Sequence, residues 1–234
     1  MKRMTKSMIK WAKALPVIAS GCLLYGNVHA DNNITTLKDD GIEQWQPKVF
    51  AGESVYSVVE HKGRTALRAN SQNAASGLVL KQKIDLIKTP YLSWSWLAQS
   101  KLVGLDERTK GGDDYVARIY VVIDGGLFIW NSRSLNYVWS SNQDEGLVWN
   151  NPFAGSRVKM MSVKGQEAQT GRWYEQQRNV YTDLIAAFGD KGSDSANLKA
   201  YQHIDVVAIM TDTDNSASFA QSYYGDLVFS ALPQ

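Results

Sequence analysis

The sequence predicts an all-β fold, an antiparallel two-sheet β-sandwich of jelly-roll type, on three observations. Short β-rich runs follow one another with turn residues between them. Several of these runs alternate apolar and polar residues with a period of two. No strand–helix–strand rhythm of a parallel sheet interrupts them, and helix is scarce.

Taken in order, residues 54–59 (SVYSVV), 64–69 (RTALRA) and 77–84 (GLVLKQKI) read as strands. Residues 91–97 (YLSWSWL) place Leu92, Trp94 and Trp96 on one face and Tyr91, Ser93 and Ser95 on the other. Residues 99–113 form a long loop rich in charge and glycine. Residues 114–123 (DYVARIYVVI) are the strongest strand, ended by Gly125-Gly126. Its core face is Tyr115, Ala117, Ile119, Val121 and Ile123; Asp114, Val116, Arg118, Tyr120 and Val122 face the other way. Residues 135–140, 157–163, 172–181, 204–210 and 223–229 complete the set. One short helix is expected at 182–188, capped by Thr182 and closed by Gly189. Residues 190–199 are expected as a polar surface loop.

Residues 1–30 predict an export signal. Lys2, Arg3, Lys6, Lys10 and Lys13 form a basic head, residues 14–26 are mostly apolar, and Val28-His-Ala30 suits a signal peptidase. The apolar run falls short of the ~20 residues that span a bilayer. Cleavage after Ala30 would leave a single β-sandwich domain, residues 31–234, exported and periplasmic, with no membrane span. The alternative is a lipoprotein anchored through Cys22 in Ala19-Ser-Gly-Cys22. Without the five basic residues of the leader, the 20 that remain face 23 acidic ones, a net of −3. That balance excludes an electrostatic nucleic-acid binder. Cys22 is the one cysteine, so the mature chain has no disulfide and no cysteine metal site.

Phosphate-cradling glycine loops, the HExxH zinc helix and the GxSxG serine elbow are all absent from the sequence. His61 and His203 lie by turns or strand edges and read as surface residues. The stretch Met210-Thr-Asp-Thr-Asp-Asn215 is the first constellation. Asp212 and Asp214, joined by Asp226 if strands 204–210 and 223–229 are neighbours, offer oxygen ligands for a structural calcium. The EF-hand pattern fails, with Ala217 and Tyr223 where glycine and glutamate belong. The competing reading is a strand-ending turn whose Asp and Asn side chains accept backbone N–H groups.

Arg118 and Arg178 are the second constellation. Each sits among apolar and aromatic residues and needs an acidic partner, with Asp114, Asp183, Asp212 and Asp214 available. They form either a structural ion-pair network or the lining of a polar groove. The third feature is tryptophan. Trp94 and Trp96 belong to the core; Trp130, Trp139 and Trp149 lie near Asn, Ser and Arg, the company that saccharide binding uses. The candidate ligand-binding residues are therefore Arg118, Asn136, Trp139, Trp149, Arg178, Asp212, Asp214 and Asn215. Glu175, Asp226 and Asp114 are carboxylates that a glycosidase pair could draw on.

The blocks YLSWSW at 91–96, KGGDDYVARIYVV at 110–122, LNYVWSS at 135–141, QRNVYTD at 177–183 and IMTDTDNS with YYGDL at 209–227 resemble the bacterial family catalogued as domain of unknown function 3047. Gln177 departs from the charged residue expected there. The resemblance implies an exported single-domain protein and brings no activity. A looser similarity is to jelly-roll carbohydrate-binding modules, through YYGDLVF and the turn Gly41-Ile-Glu-Gln-Trp45. The expectation is a saccharide-binding module of the envelope. A glycan-active hydrolase or lyase with a carboxylate pair, and an envelope protein-interaction module, are the alternatives.

Overall fold

The computed structural model describes residues 31–39, 41–125 and 132–234. The expected leader, with Cys22, and the expected Trp130 contact lie outside the described residues. Among the described residues, fourteen strands and two α-helices follow one another. They run β1 (Asn32–Asn33), β2 (Gln46–Ala51), β3 (Val55–His61), β4 (Arg64–Gln72), β5 (Ala75–Asp85), β6 (Tyr91–Ala98) and β7 (Ala117–Ile123). Then come β8 (Arg133–Trp139), β9 (Val148–Asn151), β10 (Gly155–Lys164), β11 (Tyr174–Asn179), α1 (Val180–Phe188) and α2 (Asp194–Tyr201). The chain closes with β12 (His203–Asp212), β13 (Phe219–Tyr224) and β14 (Val228–Ser230).

The strands form two sheets of seven. The first runs β1-β14-β6-β13-β4-β3, with β11 on the free side of β6; the second runs β2-β5-β12-β7-β8-β10-β9. Pairing is antiparallel throughout except between β8 and β10, which are parallel. That exception follows from the β9–β10 hairpin, which inserts its second strand next to β8 and leaves β9 at the edge.

The core lies between the sheets, and aromatic rings bridge it. Trp94 and Trp96 of β6 face Tyr137 and Trp139 of β8, with Trp94–Tyr137 centroids 5.4 Å apart and Trp96–Trp139 centroids 6.0 Å apart. These separations suit offset and tilted aromatic contacts. Ala117, Ile119 and Val121 of β7 and Val207 and Ile209 of β12 are fully buried, as period-two alternation requires.

Several expected elements are corrected. The strand expected from 114 begins only at Ala117, because the Asp114 carboxylate accepts hydrogen bonds from Asn215 and Ser216 across the fold. The strand expected through 181 ends at Asn179, whose side chain accepts from Thr182 N at 3.1 Å and so caps α1 in place of Thr182. The loop expected at 190–199 contains α2, with Ser193 accepting from Ala196 N at 3.3 Å. The strand expected at 223–229 is two strands, β13 and β14, broken at Gly225–Leu227. A Cβ on Gly225 would lie 2.2 Å from Ser95 Oγ, so a larger residue there would have to turn that hydroxyl away. Neither β13 nor β14 neighbours β12, which belongs to the other sheet.

Candidate functional site

The outer face of the second sheet carries the site. On β7 the alternation that buries Ala117 and Ile119 turns Arg118 and Tyr120 outward. Pairing sets Arg118 opposite Met210, and Tyr120 opposite Asn136. Arg118, Asn136, Met210 and Asp212 make a floor, each no more than 5% exposed although none faces the sandwich interior. They are covered because the sheet curls and its two edges rise beside them. Phe50 comes from the end of edge strand β2, and Phe153 from the turn after edge strand β9. Both line the same cleft of about 410 Å³. Both also remain open to solvent, Phe50 at 66% and Phe153 at 57%.

Polar groups close the cleft. Asn151 donates through Nδ2 to Asp113 Oδ2 at 2.9 Å, and its Oδ1 accepts from Phe153 N and Ala154 N at 3.0 and 2.9 Å. One asparagine thus fixes both the wall and the turn that presents Phe153. Asp214 and Asn215 stand at the end of the cleft.

Arg118 is the electrostatic centre. Its Nη2 donates to Asp212 Oδ2, and its guanidinium lies 5.0 Å from the Tyr115 ring centroid and 5.3 Å from that of Tyr120. Burial opposes its charge, but Asp212 and the neighbouring acidic groups hold its pKa above the usual value. Asp212 also accepts from Tyr115 N at 3.3 Å. Burial pushes the Asp212 carboxyl well up; Arg118 pulls it down, while Asp114, Asp113 and Asp214 push it up again. Burial likewise raises Asp113, against the pull of Arg118 and the Asn151 hydrogen bond. Asp214 is raised by burial and then by Asp114.

Asp114, Asp212 and Asp214 each place an oxygen within 4.8 Å of the others, and such a trio could hold a metal ion. Part of its capacity is already used. Asp114 accepts from Asn215 N, Asn215 Nδ2 and Ser216 N at 3.2, 3.1 and 2.6 Å. Asp212 is engaged by Arg118. Residues 214–217 form a turn, and Asp212, Asp214 and Asn215 also line the cleft.

Of the sequence-derived candidates, Arg118, Asn136, Asp212, Asp214 and Asn215 meet in this cleft. Four others do not. Trp139 is fully buried between the sheets, where its ring meets Trp96 and Tyr174. Trp149 packs against Tyr115, Val138 and Met160. Arg178 pairs with Asp183 at the start of α1, bonding through Nε at 2.8 Å and Nη2 at 2.5 Å. Asp226 cannot join Asp212 because its strands lie in the other sheet; its Oδ1 accepts from Thr35 Oγ1 at 2.8 Å and Leu37 N at 2.9 Å, pinning the N-terminal segment. Asp114 stands in the trio where Asp226 was expected.

Sequence reasoning missed Phe50, Asp113, Asn151 and Phe153. Asp113 had a signal, standing beside Asp114 just before a strand with an outward arginine. Phe50 and Phe153 had none, because their common cleft depends on the curl that brings opposite edges of a seven-stranded sheet together.

The family described as "Protein of unknown function (DUF3047)" matches residues 43–228. No curated protein sequence is significantly similar to the chain. Solved structures resemble it more loosely. The xyloglucanase domain of NopAA, a type three effector from Sinorhizobium fredii in complex with cellobiose, is 11% identical with a TM-score of 0.43, covering 80% of this chain and 92% of that one. The cellulose induced protein Cip1 is 10% identical with a TM-score of 0.40, covering 81% and 92%. The mannan-recognising carbohydrate-binding module TmCBM27 is 9% identical with a TM-score of 0.32, covering 86% and 95%. At such identities and scores these likenesses say nothing of what this chain binds.

Proposed function

We propose, for a chain that belongs to the DUF3047 family of unknown function, that the cleft on the outer face of the second sheet binds a saccharide. One observation carries the reading. Two solvent-open phenylalanines, Phe50 and Phe153, stand at opposite edges of the cleft over a floor and walls of Arg, Asn and Asp. A pyranose ring offers an apolar face for such rings to stack on and hydroxyls for such polar groups to bond. Among the described residues no helix is long and apolar enough to cross a membrane.

The working unit is proposed to be residues 31–234, exported to the periplasm after loss of the leader. The minority reading is a lipid anchor on Cys22. Mass spectrometry of the mature N terminus separates the two, since an acylated Cys22 would overturn soluble export. Binding is tested with a glycan array and the purified protein. Retention of saccharide that weakens in Phe50→Ala and Phe153→Ala is the expected result; an array with no bound saccharide would sink the reading.

A second reading has an observation of its own. Asp113, Asp212 and Asp214 line the cleft with carboxyl pKa values above the usual range. A carboxyl kept protonated can serve as a general acid beside an ionised partner, as a glycan hydrolase or lyase requires. Release of reducing ends from a bound polysaccharide, abolished in Asp113→Asn, would favour this reading over binding alone. The acidic trio also supports a structural calcium site. A rise in melting temperature with added calcium, lost in Asp114→Asn, is the expected sign.

A further inference from the structure

We infer that the saccharide taken by this cleft carries an acetamido group, as an N-acetylated amino sugar does. The inference rests on the saccharide reading above. Its first support is a set of donors that lack oxygen acceptors. Among the described residues, Tyr120 Oη donates only to Met210 Sδ, at 3.3 Å. Asn136 Nδ2 donates only to Met160 Sδ, at 3.4 Å. Arg118 Nη2 is shared between Asp212 and Met210 Sδ. Arg118 Nη1 bonds to no acceptor among the described residues, and it is not sealed from solvent as Nε of the same group is. A thioether sulfur is a weak acceptor, so donors that rest on one stay available to an oxygen.

The second support is placement. Arg118 and Tyr120 lie two residues apart on the outer face of β7, and Tyr120 stands opposite Asn136 of β8. Cross-strand neighbours of this kind have Cβ atoms about 5 Å apart. All three side chains line the cleft. One carbonyl oxygen has two lone pairs and can take two of these donors together. A sugar hydroxyl could accept as well, but it must also place its own proton. The amide oxygens nearby are spent: Asn136 Oδ1 accepts from Ser134 Oγ at 2.6 Å, and Asn151 Oδ1 holds the turn before Phe153. An ammonium group would bring further donors to a place that already has too many. A carboxylate would accept them, but beside Asp113, Asp212 and Asp214 it would meet like charge.

The third support is the apolar lining. Ala51, Ala75, Val158 and Met210 border the same cleft and suit a methyl group that leaves water. Asp214, partly exposed at the end of the cleft, offers an acceptor for an amide N–H. Carbonyl, methyl and N–H are the three parts of an acetamido group, and each has a counterpart here.

The test is calorimetric titration of the purified protein with three β-1,4-linked tetrasaccharides, of N-acetylglucosamine, glucosamine and glucose. The N-acetylglucosamine oligomer is expected to bind about tenfold tighter than either of the others. Tyr120→Phe keeps the ring and removes one donor, and it should cut that preference several-fold. Asn136→Leu removes the second donor and should do the same; Tyr120→Phe serves alone if this buried position does not tolerate the change. Equal or tighter binding of the glucose or the glucosamine oligomer would overturn the acetamido inference and leave the saccharide reading standing. A preference that survives both substitutions would also overturn it. So would binding of none of the three while the glycan array retains only saccharides without an acetamido group. An array that retains nothing would remove both readings.

Discussion

Arg118 with Asp212 and Arg178 with Asp183 are the same ion pair in two different surroundings. The second is local: Arg178 is the penultimate residue of β11, and Asp183 lies five residues on, in the first turn of α1. Its carboxylate receives two guanidinium bonds and the Tyr137 hydroxyl at 2.9 Å, close to a helix N-terminus that favours negative charge. Every charge there is answered, and the arginine side chain is 38% exposed. The first pair joins neighbouring strands, with side chains only 6% and 1% exposed. Three further aspartates surround it, and among the described residues no second guanidinium or ammonium bonds to them. A satisfied pair holds a helix to a sheet. The other pair lies among further carboxyl groups that line a cleft open to solvent.

Removing each arginine in turn is the sharpest way to break the contrast. Arg118→Met leaves Asp212 buried among other acids, and a loss of about 3–5 kcal/mol is expected. Urea unfolding measures it; a loss no greater than that of Arg178→Met would erase the difference between the pairs. Arg178→Met should cost only about 1–2 kcal/mol, since its partner keeps the Tyr137 bond and solvent reaches the arginine.

Acidity offers a milder probe. The Asp113, Asp212 and Asp214 pKa values are raised in the folded chain, so over that range the native state binds more protons than the unfolded one. Their contribution to stability is then fully present below about pH 4, the unfolded value, and is lost as pH rises through the raised folded values. The melting temperature relative to Asp113→Asn should therefore improve on acidification from neutral pH, in scanning calorimetry at matched ionic strength. A difference that stays constant from neutral pH to about pH 4 would contradict the shift.

The smallest effect on stability belongs to the rim. Phe50→Ala and Phe153→Ala remove exposed rings, so each should change unfolding free energy by no more than about 0.5 kcal/mol. Yet each should weaken saccharide binding several-fold, as read by titration. Loss of stability without loss of binding would move these residues from the site to the fold.

Legibility in the sequence followed locality. The strands β6, β7, β8 and β12 were readable because their alternation records burial on one face. Strand β2 was not: all six of its residues are exposed, it contains Pro47, and no period marks it. Helix α2 escaped because its sequence DSANLKAY is mostly polar and buries only Asn197 and Tyr201, although Ser193 was a visible cap. At the site, Arg118, Asp212 and Asp214 were readable as charges that need partners. Trp139 misled because an indole beside Ser and Asn reads the same whether its strand face points inward or outward.

Chain order alone settled that this protein is built of paired strands, and that Arg118 leaves the core face of its strand. Alternation is a property of single strands, so the residues carry it wherever the strands lie. Which acid stands beside Asp212 was decided elsewhere. Asp114 reaches it and Asp226 does not, because β12 entered the second sheet while β13 and β14 entered the first. Phe50 and Phe153 likewise share a cleft only after seven strands have paired and curled. Sheet order is set by contacts among distant segments competing for one core, and no short window of sequence contains that competition.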